Sequence, residues 1–463
     1  MEAKHIMPFH LFLHGDHHYV INIDGMRASS VDEATAQALT KLIFDPQTLL
    51  PFHMEERLKE LGLICEYPEK NKKPLKKEPV PIVSMALFLT QSCNLKCVYC
   101  YGDGGEYGTG GSMEEKTAFR SVDWLIEQSG KMKKIHIGFF GGEPFLKFGL
   151  MKSVAEYAKM KAHEVEKDVA FHCTTNATLL DDEKIAFIKE YKISTMVSFD
   201  GPREIQDAQR PYASGKGSYD IVVPKIKKLL TALPNISGHA VLVGDNDPKL
   251  IKDAMQEVGF AEVSVMPASR SLFSQDTDKK TAVRDTQALL EAIEQEADTW
   301  LALVQNKDSD GLKILKNKSI LDRALVLLLH NSKRHHACGA GRGLVGISVS
   351  GDVYLCHRFV GKEEYKLGNV FEDNLFREEY QKSPAAENDV CSACFARYYC
   401  AGGCRHDNVS SCGSMTAPSE DMCRLRCREF ELAASIVSSL EPKDLSFLLE
   451  HNIFTPKPCP LDF

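Results

Sequence analysis

The sequence has neither a long apolar run nor an excess of positive charge. Its longest uninterrupted apolar run, Ala324 to Leu329, is far too short to cross a bilayer. The N-terminal stretch MEAKHIMPFH lacks the apolar core of a signal peptide. A formal net charge of −8 gives no reason to expect binding to nucleic acid or to an anionic membrane surface. We therefore expect a cytoplasmic protein with neither a nucleic acid nor a membrane among its partners.

Repeats and low-complexity tracts are also missing, which disfavours solenoids and disordered chains. The apolar fraction of 43% and the charged fraction of 26% are those of an ordinary globular protein. A length of 463 residues exceeds what one hydrophobic core usually serves, so two to four domains are expected.

What the chain has in excess is cysteine. Fifteen cysteines are too many for disulfides in a reduced cytoplasm. They are also clustered, with three between Cys93 and Cys100 and ten between Cys338 and Cys459. Clustering of this kind favours metal or iron–sulfur ligation over scattered core thiols.

The first 66 residues predict a small α+β unit. FHLFLHGDHHYVINI alternates around a turn, as a β-hairpin does. Ser30 and Glu33 predict a capping box ahead of a helix with Ala36, Leu39 and Leu42, and a second helix, MEERLKELG, ends at Gly62. EYPEKNKKPLKKEPV, with three prolines and five lysines, then predicts a solvated linker at residues 67–81. A nucleic-acid-binding arm is the alternative, but mixed charge and the lack of spaced aromatics favour the linker.

From residue 82 onward, strands and helices alternate. The predicted strands are VSMALFLTQ, KIHIGFFGG, VAFHCTT, ISTMVSFD, GHAVLVG and EVSVMP. The alternation favours an α/β fold with parallel strands in a full or partial barrel, where sites lie beyond the C-terminal strand ends. Residues 268–330 predict a helical bridge that completes this domain. A cysteine-rich module at 331–430 and a helical segment at 431–463 follow.

The stretch CNLKCVYC places Cys93, Cys97 and Cys100 at C-x3-C-x2-C spacing after the first predicted strand of the barrel. A zinc site with a distant fourth ligand is one interpretation, although zinc usually uses paired C-x2-C arms. A 4Fe–4S cluster held by three thiolates leaves one iron without a protein ligand, free to bind a substrate or cofactor.

This loop resembles that of the radical S-adenosylmethionine (SAM) enzymes. The resemblance implies a partial (β/α)6 TIM-like barrel, a 4Fe–4S cluster on the three cysteines, and SAM chelated at the open iron. Reductive cleavage of SAM then releases a 5′-deoxyadenosyl radical. Tyr99, the aromatic residue before the last cysteine, matches a family position that packs near the adenine.

Further motifs follow the later strands. Gly141-Gly142-Glu143-Pro144 resembles the family's GGEP motif, which binds the methionyl amine of SAM, and a plain Gly-Pro turn is the alternative. Other short polar residues stand where relatives contact the ribose and carboxylate of SAM; these are Thr175, Asn176, Ser198, Phe199, Asp200, Gly201 and, as a carboxylate partner, Arg210. Short polar residues at strand ends are also common turn formers.

The C-terminal cysteines resemble the SPASM domain of enzymes that modify ribosomally made peptides, with a structural zinc pair as the alternative. The resemblance implies two auxiliary 4Fe–4S clusters. An outer set would consist of Cys391, Cys394, Cys400 and Cys423, and an inner set of Cys338, Cys356 and Cys404.

The chain departs from the sulfatase-maturing relatives at two positions. Their fourth inner cysteine is replaced by Leu344, so Cys412, Cys427 or a substrate thiolate would complete the inner set. Their aspartate base is replaced by His357, which is as much a structural candidate as a catalytic one. The remaining thiols, Cys65, Cys173 and Cys459, are interpreted as ordinary.

The N-terminal hairpin followed by helices resembles the winged-helix recognition element of peptide maturases. Such an element binds an unstructured leader peptide as an added strand. A DNA-binding winged helix is disfavoured because no basic recognition helix is present.

These resemblances together predict a peptide maturase that installs thioether crosslinks from cysteine in a ribosomally made precursor. A reductant such as flavodoxin or ferredoxin would supply electrons. The alternatives are a sister enzyme that forms a carbon–carbon crosslink, epimerises a residue or makes formylglycine, and a non-catalytic iron–sulfur carrier. A carrier needs neither an open iron nor a GGEP motif.

Overall fold

The structure is a computed structural model that describes residues 5–65, 80–273, 286–316 and 319–454. Most of the predicted linker 67–81, part of the predicted helical bridge, and Cys459 lie outside the described residues. Among the described residues, no helix combines the length and apolar character needed to cross a membrane.

The N-terminal unit is a three-stranded antiparallel sheet with two helices on one face. Its elements are β1 (His5–Ile6), β2 (Phe9–His14), β3 (His17–Asn22), β4 (Arg27–Val31), α1 (Glu33–Phe44), α2 (Phe52–Glu60) and β5 (Ile64–Cys65). The predicted hairpin is confirmed as β2–β3, and both predicted helices are present. Val20, Leu39, Leu42 and Leu58 form the small core between the sheet and the helices.

The predicted capping box is wrong. Ser30 lies in β4, where it pairs with Tyr19 of β3, and its extended backbone belongs to the sheet. Asp32 caps α1 instead, because its carboxylate accepts a hydrogen bond from the Thr35 backbone N–H at 2.7 Å.

The six predicted parallel strands are confirmed. They are β6 (Ser84–Thr90), β7 (Lys134–Gly141), β8 (Asp168–Thr175), β9 (Ser194–Ser198), β10 (Ser237–Leu242) and β11 (Glu262–Pro267). Each strand pairs in parallel with the next. The intervening helices cover the outer face; they are α3 (Glu115–Gln128), α4 (Phe148–Glu164), α5 (Asp182–Glu190), α6 (Arg203–Gln209), α7 (Tyr219–Ala232) and α8 (Pro248–Val258). Continuous apolar strands such as SMALFLT fit this arrangement because they are buried on both faces. The chain therefore has an α/β fold with a partial barrel.

The cysteine-rich module extends the same sheet, which the sequence analysis did not predict. Its strands are β12 (Leu344–Ile347), β13 (Asp352–Tyr354) and β14 (Lys366–Asn369), and β12 pairs in parallel with β6. Leu344, where relatives carry a fourth inner cysteine, is the first residue of β12 and pairs with Ser84. The barrel and the module therefore share one nine-stranded sheet.

The remaining helices belong to three segments. The predicted helical bridge contains α9 (Thr286–Gln305), α10 (Ser309–Lys316) and α11 (Asp322–Leu329). The cysteine-rich module contains α12 (Pro384–Glu387), α13 (Asp389–Ala393), α14 (Arg397–Cys400), α15 (Arg405–Cys412) and the start of α16 (Glu420–Ser438), and the C-terminal segment contains α17 (Pro442–Glu450). Short 3-10 turns occur at Pro144–Lys147, Glu363–Tyr365 and Glu378–Gln381. Helix α16 is continuous across residues 430 and 431, where the sequence predicts the boundary between the cysteine-rich module and the C-terminal helical segment.

The N-terminal unit packs on the cysteine-rich module. The sheet β2–β4 contacts α16. The ring of His10 stacks on Phe395 with centroids 3.6 Å apart, and its Nε2 lies 2.9 Å from a carboxylate oxygen of Glu431. Arg397 donates to Asp24 at 2.6 Å across the same interface.

Candidate active site

The cysteine loop, Cys93 to Cys100, directly follows β6 and is held by backbone hydrogen bonds to the segment after α6. Lys96 N donates to Pro211 O and Val98 N to Gln209 O. Burial raises the pKa of Cys93 to about 12 and that of Cys97 to about 11. Such thiols stay protonated in the bare protein, and a bound metal centre reverses this by stabilising the thiolates. The donor set therefore fits an iron–sulfur cluster.

Gly141 and Gly142 bring the end of β7 against the cysteine loop. A Cβ on Gly142 would lie 2.1 Å from Ser92 O, and one on Gly141 would lie 2.0 Å from Thr90 O. Gly141 also has a φ of 133°, which side chains rarely adopt. The two glycines are thus required by close packing of the protein's own backbone.

Glu143 is fully buried and connects the ends of two strands. Its carboxylate accepts hydrogen bonds from Thr175 Oγ1 and Asn176 N, both at 2.8 Å, and from Phe145 N at 3.2 Å. Burial raises its pKa to about 7, although these hydrogen bonds oppose the shift. Asn176 in turn donates from Nδ2 to Cys93 Sγ at 3.8 Å and to Asn94 Oδ1 at 3.0 Å. The GGEP segment, the end of β8 and the cysteine loop therefore form one unit.

A second buried network joins Tyr99 to the end of β9. The Tyr99 hydroxyl donates to Asp200 at 2.7 Å, and Arg210 approaches the same carboxylate with Nε at 3.0 Å and Nη2 at 3.1 Å. The Arg210 guanidinium also lies 5.2 Å from the centre of the Tyr99 ring. The Asp200 carboxylate is thus the ion-pair partner of Arg210, and it holds both Arg210 and Tyr99 in position.

One cavity of about 580 Å³ collects most of the predicted site residues. Those that line it are Cys93, Cys97, Tyr99, Cys100, Gly141, Gly142, Glu143, Asn176, Ser198, Arg210, Cys338, Cys400, Cys404 and Cys423. The volume is within the range of small-molecule sites, about 300–1,000 Å³. The predicted residues that do not line it are Pro144, Asp200, Cys356, Cys391, Cys394 and Cys412.

Several lining residues were not singled out from the sequence. Arg323, Arg334, Arg358 and Arg426 give the cavity a cationic wall, and His239 projects into it from β10. Burial lowers the pKa of His239 to about 4, so the imidazole is neutral. The four arginines and His239 belong to no sequence motif. For His239 the alternation of side chains along a strand gave a signal, because it places His239 on the same inner face as Val241.

The inner set comes from three separate segments. Cys338 precedes β12, Cys356 follows β13, and Cys404 is the cap of α15. Burial raises the pKa of Cys356 above the ordinary thiol value, and the neighbouring thiols of Cys404 and Cys338 add to the shift. The electrostatic influence of Cys404 and Cys338 on Cys356 is consistent with one grouped set, whose role as cluster ligands stays a prediction.

The outer set has thiol neighbours, and Cys412 and Cys427 are two further thiols beside it. Burial raises the pKa of Cys423 to about 11, with further contributions from neighbours that include Cys400, Cys391 and Cys412. The Sγ atoms of Cys394 and Cys427 lie 4.0 Å apart. A hydrogen bond from Cys427 lowers the pKa of Cys394. Cys412 and Cys427 thus lie with the outer set, which does not support the expectation that either completes the inner one.

His357 faces the cavity between aromatic rings. Its ring centroid lies 4.8 Å from that of Phe140 and 6.4 Å from that of Tyr101. Burial, together with the charge of Arg358, lowers its pKa to about 3, so the side chain is neutral.

Among the described residues, no three His, Cys, Asp or Glu side chains converge tightly enough to hold a single metal ion. The thiols that hold a 4Fe–4S cluster stand farther apart, because the cluster itself occupies the space between the ligand sulfurs.

Residues 87–256 match the model of the radical SAM superfamily, and this segment contains the cysteine loop and strands β6 to β10. The chain contains a radical SAM domain. A radical SAM domain implies a 4Fe–4S cluster and SAM, and Cys93, Cys97 and Cys100 line the cavity described above.

Individual relatives extend beyond the radical SAM domain. The mycofactocin maturase MftC of Mycolicibacterium smegmatis is 25% identical over 68% of this chain and 76% of its own length. The protein MJ0907 of Methanocaldococcus jannaschii is 35% identical over 29% of this chain, and the match spans only 44% of that protein. The structure of anSMEcpe with bound AdoMet and Cp18Cys peptide superposes with a TM-score of 0.61 at 18% identity, covering 81% of this chain and all of that one. This last likeness supports the fold.

Proposed function

We propose that the protein is a peptide maturase that uses SAM-derived radical chemistry to install thioether crosslinks in a ribosomally made precursor. The observation that carries this proposal is the shared cavity. It is lined both by the radical SAM cysteines and by Cys338 and Cys404 of the inner set. A radical formed at one end of the cavity would thus arise beside a second group of metal-binding thiols.

The chemistry requires an electron acceptor. A cluster held by Cys93, Cys97 and Cys100, together with SAM, would supply a 5′-deoxyadenosyl radical that can take one hydrogen atom from a C–H bond of the peptide. Formation of the C–S bond from the resulting carbon radical and a cysteine S–H then releases one proton and one electron. An auxiliary cluster on the inner set would accept the electron, and one on the outer set would pass it onward toward the surface.

The chain's own residues have separate parts in this proposal. Gly141, Gly142, Glu143, Asn176, Ser198 and Arg210 line the cavity and would contact SAM. Neutral His357 and His239 also face the cavity, where their rings can donate or accept hydrogen bonds to a bound peptide. A cluster held by the three thiols of the inner set would have one iron free for the attacking cysteine sulfur of the substrate.

The N-terminal unit would bind the leader of the precursor. It offers the antiparallel sheet β2–β4, whose edges suit addition of a peptide strand. It also contacts the cysteine-rich module through His10, Asp24 and α16. A bound leader would thereby be held on the same body as the cavity.

The decisive experiment is to identify a short cysteine-containing precursor among the adjacent genes, to co-express it with the protein, and to analyse it by mass spectrometry. We expect the precursor to lose two hydrogens for each crosslink. Alkylation of its thiols before the reaction should prevent this mass loss, and alkylation after the reaction should leave it in place. Unmodified precursor, despite formation of 5′-deoxyadenosine by the same preparation, would overturn the maturase proposal.

The same spectra separate the sister activities. Loss of two hydrogens with all cysteines still alkylatable would indicate a carbon–carbon crosslink. Incorporation of one solvent deuterium without loss of hydrogen would indicate epimerisation, and an aldehyde-reactive product would indicate formylglycine. If reduction with SAM yields no 5′-deoxyadenosine, the carrier alternative is favoured.

A further inference from the structure

Arg358 makes direct contact with a cysteine of the inner set. It follows Cys356 and His357 in the loop after β13, and its side chain is only 17% exposed. Its Nη1 donates to Cys404 Sγ at 3.5 Å and lies 3.1 Å from a carboxylate oxygen of Asp407. Cys404 and Asp407 stand at the start of the same helix, α15, so one guanidinium nitrogen serves both.

The same guanidinium also reaches the radical SAM half of the molecule. Its central carbon lies 4.9 Å from the centre of the Tyr101 ring, which is a cation–π distance. Tyr101 directly follows Cys100, the last cysteine of the radical SAM loop. One buried cation therefore connects the loop of the first cluster to a sulfur of the inner set.

Hydrogen bonds and nearby charge at ligand sulfurs set the reduction potential of an iron–sulfur cluster. The N–H that Arg358 donates to Cys404 stabilises the more negative, reduced state and so raises the potential, whereas the Asp407 carboxylate, 3.1 Å from the same nitrogen, offsets part of the guanidinium charge. Arginine suits this position because it stays charged when buried and carries five N–H donors on a planar group. Asp407 can therefore fix the orientation of the guanidinium while another N–H is directed at Cys404.

We propose that Arg358 is a positioning residue that raises the reduction potential of the inner auxiliary cluster through its hydrogen bond to Cys404 and is itself held in place by Asp407 and Tyr101. The inference rests on the proposed function, since it requires a cluster on the inner set. Its consequence is that the inner cluster is the preferred acceptor of the electron released when the C–S bond forms.

The test compares Arg358→Lys, Arg358→Gln and Arg358→Met in the full chain with reconstituted clusters. Iron and sulfide contents are measured first, and the midpoint potential of the inner cluster is then obtained by redox titration followed by electron paramagnetic resonance. We expect unchanged iron and a shift to lower potential that is largest for methionine, which has neither charge nor N–H. Lysine, which keeps the charge, and glutamine, which keeps N–H donors, should show smaller shifts.

Arg120→Lys is the control. Arg120 donates to the Glu127 carboxylate at 2.8 Å within α3, and it is not among the residues that line the cavity. This variant should leave the midpoint potential of the inner cluster unchanged. A Tyr101→Leu variant should shift the potential in the same direction as Arg358→Met but by less.

Unchanged potential in all three Arg358 variants with full iron content would overturn the inference. Loss of inner-cluster iron in every Arg358 variant would also overturn it, because the residue would then be needed for assembly of the cluster. Failure of the proposed function looks different. In that case Cys338→Ala would leave the iron content and the spectrum of the unmodified chain unchanged, showing that no cluster occupies the inner set.

Discussion

The cysteine loop and the inner set each present three thiols to the same cavity, but they are built in different ways. Cys93, Cys97 and Cys100 come from one turn-rich segment after β6, whereas the inner set joins the flanks of β12 and β13 to the start of α15. The position of the cysteine loop is set locally, by the end of strand β6 of the barrel. The position of the inner set depends on long-range packing of the whole module. Damage to either group should therefore have different consequences.

The largest expected difference is between Cys97→Ala and Cys356→Ala. Cys97→Ala should reduce 5′-deoxyadenosine formation to background, because the first cluster loses one of its three ligands. Cys356→Ala should retain 5′-deoxyadenosine formation but yield no crosslinked peptide. Quantifying both products by liquid chromatography and mass spectrometry checks this. If Cys356→Ala made normal crosslinks, the inner set would have no part in the reaction.

Asp200→Asn should destabilise the radical SAM half strongly. The carboxylate is buried and bound to Tyr99, Gln209 and Arg210, so its neutralisation leaves the Arg210 charge without a partner. Loss of one member of a buried ion pair costs about 3–5 kcal/mol. Denaturant unfolding would measure the loss. Asp220→Asn, which removes the exposed ion pair of Asp220 with Arg203, is the control and should cause a much smaller loss, because solvent screens exposed pairs.

Gly142→Ala should disturb the cysteine loop, because the new Cβ would meet Ser92 O at 2.1 Å. We expect a loss of about 1–3 kcal/mol in the free energy of unfolding together with weaker iron retention. Gly149→Ala, at a position with open space in α4, is the control and should be neutral or slightly stabilising. Equal thermal stability of the two variants would show that the strand end does not support the loop.

Glu143 should make the metal-free protein less stable as the pH rises. Burial raises its pKa in the folded state to about 7 from an ordinary value of 4.5, so the folded state binds the proton more tightly. Its contribution is present in full below pH 4.5 and is lost as the pH rises through 7. Glu143→Gln should flatten this part of the stability–pH curve, and a curve identical to that of the parent would contradict the assignment.

Cys427→Ala should have the smallest effect. Cys427 lies beside Cys394, but the outer set already contains four other thiols. We expect full iron content and a small change in the spectrum of the outer cluster, because one S–H donor to a ligand sulfur is removed. Loss of a cluster's worth of iron would show instead that Cys427 is a ligand.

Much of the fold follows from local sequence patterns. The six barrel strands are apolar runs followed by polar turns, and the hairpin β2–β3 alternates in the way that a half-buried strand requires. Ser30 was misassigned because a serine three residues before a glutamate also occurs at the end of a strand, and Asp32 provides an equally good cap. The pairing of β12 with β6 joins residues more than two hundred positions apart, and no local pattern encodes it.

The sequence alone determined where the cysteine loop and the GGEP segment lie, because each is a short motif with fixed spacing along the chain. The division of the C-terminal cysteines into an outer and an inner set stays a prediction from the resemblance to the SPASM domain. The tertiary structure decided that Cys427 lies with Cys394, that Arg210 is paired with Asp200, and that Arg358 joins Cys404 to Tyr101. Each of these contacts arises where distant segments pack together, so it depends on the geometry of the shared sheet and not on spacing along the chain.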